Sequence, residues 1–91
     1  MMPLFAIICR DAPGKLQTRL DTRETHLAFL KASDMLRMAG PLIEDGEMRG
    51  SLLVVEAADL TTAQDWAAGD PYKAAGLFRS VEVIEWKKVI G

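Results

Sequence analysis

The chain has 91 residues, nearly half of them apolar, with a formal net charge of −2 and charges of both signs mixed along its length. That length sets one small domain over 1–91, and that composition is too apolar for a disordered chain. There is no basic tract, no C-x-x-C pair and no apolar run near the roughly 20 residues a membrane helix needs. Nucleic-acid binding, a structural zinc site and a membrane span are therefore not expected.

Leu4 to Arg10 (LFAIICR) predicts a strand, apolar on both alternating faces. Asp11-Ala12-Pro13-Gly14 stops it with turn residues. Met1 through Cys9 lacks a basic leader and a small-residue cleavage site, so no signal peptide is expected. Cys9 is the single cysteine and cannot form an internal disulfide, which fits a reducing, cytoplasmic setting. Within a central strand it reads as a buried, inert thiol.

Lys15 to Leu20 predicts a helical turn leading into the main helix near Asp21 or Thr22, where Asp21 and Glu24 resemble a capping box. Thr25, Ala28, Phe29, Ala32, Met35, Leu36 and Ala39 then mark one apolar stripe at helical spacing. His26, Leu30, Ser33 and Arg37 lie on its flank. Gly40-Pro41 is expected to end this helix.

Leu42-Ile43-Glu44 predicts a short strand, Asp45-Gly46 a hairpin turn, and Ser51 to Ala57 (SLLVVEA) the return strand. Asp59 or Thr61 can cap a second helix carrying Leu60, Ala63, Trp66 and Ala67. Pro71 should end it, because a residue preceding proline is driven out of helical geometry. A turn over Tyr72 to Gly76 leads into a final strand, Phe78 to Val89. Trp66 and Trp86 read as core or interface anchors.

The order is β-α-β-β-α-β, a ferredoxin-like α+β fold with an antiparallel sheet. The first and third strands, the most apolar, are expected at its centre. Same-handed crossovers place both helices on one face. The other face would then be bare and apolar, so a homodimer through that open face is expected, forming a dimeric α/β barrel. Topology also gathers His26, Gly50-Ser51 and Asp70 at one end of the domain.

Arg19-Leu20 with Arg23 and His26-Leu27, Ala39-Gly40-Pro41, Gly50-Ser51, Ala63-Gln64, Trp66-Ala67, Asp70-Pro71-Tyr72, Ala74-Ala75-Gly76 and Lys87-Lys88-Val89 occur in an order and spacing that resembles the YciI-like (YCII-related) family of the dimeric α/β-barrel superfamily. The resemblance runs end to end, with a short Asp45 to Arg49 turn where relatives can carry a longer loop. It implies a His–Asp pair in a cleft, carried here by His26 and Asp70. Arg23, Ser51 and Tyr72 are carried over as substrate-binding positions.

Each of these residues also has a plainer reading. His26 could be a surface or satisfied core histidine, Asp70 a turn-capping aspartate and Tyr72 a packed aromatic. Arg19 and Arg23 could be a solvated face, though near a helix start they also suit a carboxylate or phenolate ligand. A carboxylate on one imidazole nitrogen fixes the tautomer and frees the other to move a proton. The expected function is therefore a small lyase- or isomerase-like enzyme on an oxygenated or aromatic metabolite, with no cofactor and no metal. The alternative is a non-catalytic small-molecule-binding or accessory dimeric module.

Overall fold

The computed structural model describes residues 2–91. Its elements are β1 (Leu4–Asp11), α1 (Leu16–Ala32), β2 (Leu36–Glu44), β3 (Glu47–Glu56), α2 (Leu60–Ala68), the one-turn helix α3 (Pro71–Ala74) and β4 (Phe78–Trp86). The four strands form one antiparallel sheet in the order β2-β3-β1-β4, the ferredoxin-like arrangement.

Pleat alternation sorts the central strands into two faces. Phe5, Ile7 and Cys9 on β1 pair with Val55, Leu53 and Ser51 on β3, and this face carries the core. Leu30 from α1 and Ala63 and Ala67 from α2 pack into the same cluster, so both helices cover one side. Phe29 and Trp66 meet between the helices with ring centroids 4.9 Å apart. The opposite face presents Ala6, Ile8, Leu52 and Val54, and carries Met38, Ile84 and Trp86 partly exposed.

Local signals explain several boundaries. Asp45 and Gly46 both have positive φ (52° and 78°), the conformation a two-residue hairpin demands and Asp-Gly tolerates. Asp59 caps α2, its Oδ1 accepting from the Thr62 backbone N–H at 2.8 Å and from the Thr62 hydroxyl at 2.7 Å. These two hydrogen bonds hold the Asp59 carboxyl below its usual range.

The main helix differs from the sequence expectation at both ends. It begins at Leu16 rather than near Asp21, so Asp21 and Glu24 lie inside it and form no capping box. It ends at Ala32, where extended Ser33 accepts from the Met35 N–H, and Gly40-Pro41 falls within β2. Proline is tolerated there because β2 is an edge strand. Met35, Leu36 and Ala39 therefore belong to the turn and strand after the helix.

The packed face of α1 carries Arg19, His26 and Leu30, while Thr25 and Ala28 are exposed. Two polar residues on the inward side hide the apolar periodicity that would otherwise mark it. At the second helix, Gly69 supplies the C-cap and Pro71 opens α3 instead of stopping α2. β3 starts four residues before Ser51, and β4 closes at Trp86, leaving Lys87 to Val89 outside it.

Candidate functional site

The β1–α1 connection, the first three turns of α1, the end of β3 nearest the hairpin and α3 meet at one end of the sheet. Asp70 is the N-cap of α3, and Pro71 behind it forces extended geometry (ψ 126°). Its Oδ1 accepts from the Tyr72 backbone N–H at 2.9 Å and lies 2.8 Å from His26 Nδ1. A carboxylate oxygen only accepts, so Nδ1 carries a proton, and in the neutral ring the lone pair is then on Nε2. Asp70 is thus both a capping aspartate and the partner of His26, and the two readings are compatible.

Both members of this pair are buried, with side chains 8% and 4% exposed. The imidazole stacks on Tyr72, centroids 3.9 Å apart and planes inclined by 15°. Arg19 lies over the same phenol ring at 4.7 Å. Because a parallel imidazole already fills one face, the guanidinium takes the other. Arg19 and His26 are seven positions apart, about 10 Å along the helix, which is the span a sandwiched ring needs.

Arg19 is the anchor of the site. Its Nε and Nη2 donate to the two oxygens of Asp11 at 2.8 and 2.9 Å, and Nη2 also donates to Ser51 Oγ at 2.9 Å. Burial opposes its charge, yet the Asp11 hydrogen bond and charge, helped by Tyr72, hold the guanidinium above its usual range. The fork of an arginine matches a carboxylate in this bidentate way.

Tyr72 is raised above the usual phenol range, first by burial and then by the Asp70 charge, against the pull of Arg19 and Arg23. It holds its proton at neutral pH and remains a donor. Burial likewise pushes the Cys9 thiol up to about 12, with Asp70 and Asp11 adding and Arg19 opposing. Cys9 is 2% exposed. It is a packing residue of the β1 core.

A cavity of about 200 Å³ opens beside these groups. Arg19, Arg23, His26, Ser51 and Tyr72 line it on the polar side, and Leu27, Leu30, Leu53 and Met48 on the apolar side, with Ala39 to Pro41 of β2 completing the wall. A wider depression of about 480 Å³ lies nearby under the β1–α1 loop. Its walls are the β1–α1 loop residues together with exposed ion pairs, Arg10–Glu44 and Arg49–Glu47, and it contains no histidine. The chemistry-bearing groups converge on the smaller cavity. Among the described residues no three histidine, cysteine, aspartate or glutamate side chains gather to hold a metal ion, and no helix is long and apolar enough to cross a membrane.

The sequence-derived positions are arranged as follows. His26 and Asp70 touch, Tyr72 stacks on His26, Ser51 faces the same cavity, and exposed Arg23 borders its mouth. The Arg19–Asp11 pair was not singled out from sequence. Arg19's place two turns before His26, on one helix side, was the signal available for it. Asp11 gave none, since it sits in a stretch of ordinary turn residues.

Comparison with known proteins agrees with this architecture. The chain is 40% identical over 95 residues to an uncharacterized protein of Haemophilus influenzae, covering 93% of this chain and 97% of that one. It is 35% identical over 99 residues to protein YciI of Escherichia coli, covering 94% and 98%. Among solved structures it resembles 5-chloro-2-hydroxyhydroquinone dehydrochlorinase from Burkholderia phenoliruptrix, in complex with 2,5-dihydroxybenzoquinone, with a TM-score of 0.80, 36% identity and coverage of 92% and 93%. The family model for the YCII-related domain matches residues 3–87, and with these relatives it establishes that the chain belongs to the YCII-related family.

Proposed function

We propose that this protein is an acid–base enzyme of the lyase or isomerase type, working without a cofactor on a small oxygenated ring. His26 is its proton carrier. The observation that carries this reading is the buried His26–Asp70 contact of 2.8 Å beside a cavity of about 200 Å³. The likeness to a dehydrochlorinase supports it.

The chemistry follows from the geometry. Asp70 holds Nδ1–H, so Nε2 accepts a proton from a ring hydroxyl. For a chlorinated hydroquinone, the imidazolium returns that proton to the carbon bearing chlorine, giving the keto tautomer. Loss of a second hydroxyl proton then forms a carbonyl and expels chloride with the C–Cl electron pair. The products are a quinone and HCl, and no electron donor or acceptor enters the balance. An isomerase would use only the first half of this sequence.

The test is chloride release and quinone absorbance with 5-chloro-2-hydroxyhydroquinone and related rings. His26→Gln keeps a donor for Asp70 but loses the basic nitrogen, and kcat/KM should fall by about 10²–10⁴. Undiminished turnover by a folded His26→Gln protein refutes the mechanism. A ring that raises the melting temperature but is recovered intact supports the binding-module alternative instead.

We also infer that two copies pair through the uncovered sheet face. Met38 (53% exposed), Ile84 (51%), Trp86 (40%) and Leu52 (39%) supply its apolar surface. Sedimentation should give twice the mass of one chain, and Ile84→Asp should give one. A wild-type protein that sediments as a single chain overturns the pairing.

A further inference from the structure

The walls of the 200 Å³ cavity are one-sided in their chemistry. No aspartate or glutamate lines it: Asp70 and Asp11 lie behind His26 and Arg19, engaged with them. What faces the space is two guanidinium groups, an imidazole, the hydroxyls of Ser51 and Tyr72, and apolar side chains. Apart from the His26 Nε2 acceptor, the polar wall consists of hydroxyl and guanidinium donors with its acids withdrawn, an arrangement complementary to an anion.

Ser51 is the sharpest part of this arrangement. It is 3% exposed, on the helix-facing side of β3 opposite Cys9. Its Oγ accepts from Arg19 Nη2 at 2.9 Å, and among the described residues it donates to nothing. A hydroxyl has one proton to give, and this one is free toward the cavity. The cation fixed behind the oxygen polarises the O–H bond and makes it a stronger donor. The Tyr72 hydroxyl also has no acceptor among the described residues, and raised proton affinity keeps it a donor. Size narrows the occupant further, because an apolar cavity of about 150 Å³ accepts a benzene ring. About 200 Å³ holds one ring with a few oxygen substituents.

We propose that the cavity takes its ligand as a single-ring oxyanion, a phenolate or enolate, whose charged oxygen is held by the Ser51 hydroxyl with Arg19 behind it and Tyr72 beside it. Arg19 is the positioning residue of this subsite, and Ser51 is the residue that distinguishes an anionic ring from a neutral one. This deepens the acid–base reading above: an oxygen anion held on Ser51 is what the ring becomes when Nε2 removes its proton. Binding at this subsite requires no turnover.

The test is calorimetric titration with 2,5-dihydroxybenzoquinone, a vinylogous acid that is anionic at neutral pH, and with its neutral dimethyl ether. Neither ring carries chlorine to eliminate, so a failed turnover assay leaves this measurement unaffected. Wild-type protein should prefer the anion by at least about 10-fold, the range expected for hydrogen bonds to a charged group. Ser51→Ala should lose most of that preference, and Ser51→Thr, which keeps a hydroxyl, should retain it. Tyr72→Phe gives a second, independent variant with a smaller loss in the same direction. Equal affinity for the two rings, an undiminished preference in folded Ser51→Ala, or no binding of either ring overturns the proposal.

Discussion

Removing Asp11 should destabilise this protein by a large fraction of its total stability, for a reason that can be isolated. Arg19 and Asp11 are a buried ion pair, with side chains 3% and 6% exposed and contacts of 2.8 and 2.9 Å. Asp11→Ala deletes the acceptor of both bonds and leaves a guanidinium stranded away from water. Orphaning a buried charge in this way costs about 3–5 kcal/mol. A domain of this size has roughly 5–14 kcal/mol in total, so the loss is a large fraction of its stability. Arg19→Met strands the Asp11 carboxylate and should cost about as much. The double variant strands neither and forfeits only the neutral contacts, chiefly the bond to Ser51, at about 1–2 kcal/mol. Urea unfolding of the four proteins, with slopes checked for equality, completes the cycle. The double variant should be more stable than either single one. If its loss instead equals the sum of the two single losses, the pair is not coupled and the account of Arg19 as anchor is wrong.

Two further perturbations test the ground beneath the site. A Cβ at Gly50 would overlap the Cys9 carbonyl oxygen and crowd the Leu42 side chain, so Gly50→Ala should cost about 1–3 kcal/mol in urea unfolding. An unchanged midpoint would mean that the β1–β3 ladder yields there. For Cys9, a thiol near 12 in the fold against 9.0 ordinarily means that the folded state holds its proton more tightly. That contribution is complete below pH 9 and lost as pH rises toward 12, up to roughly 4 kcal/mol. Stability of Cys9→Ala should therefore fall less steeply than wild type over that interval, and parallel curves would contradict the burial argument.

The chain's local chemistry determined the hairpin and the order of elements. It located each strand while missing that β2 starts at Leu36 rather than Leu42, and narrowed the cap of α2 to Asp59 or Thr61, of which the structure uses Asp59. Each rests on neighbours in sequence: β-branched runs, an Asp-Gly pair, an aspartate three residues before the amide it accepts from. Where sequence misled was α1. Arg19 and His26 occupy its packed face, so the apolar stripe in the sequence falls on a flank and runs on to Gly40-Pro41, whereas the helix ends at Ala32 with Ser33 as its cap. The polar residues that blurred the pattern are those now gathered around the cavity.

Tertiary structure alone decided the contacts. His26 and Asp70 are 44 positions apart, and Arg19 and Ser51 are 32 apart. Topology could bring them to one end of the sheet, because antiparallel order dictates which element ends share a side. It could not choose which oxygen Arg19 would grip, or that Tyr72 would slide between a cation and an imidazole. Those choices depend on side-chain packing at distances of a few ångströms, where the rise of a helix and the pleat of a strand set the spacing and no run of residues records the outcome.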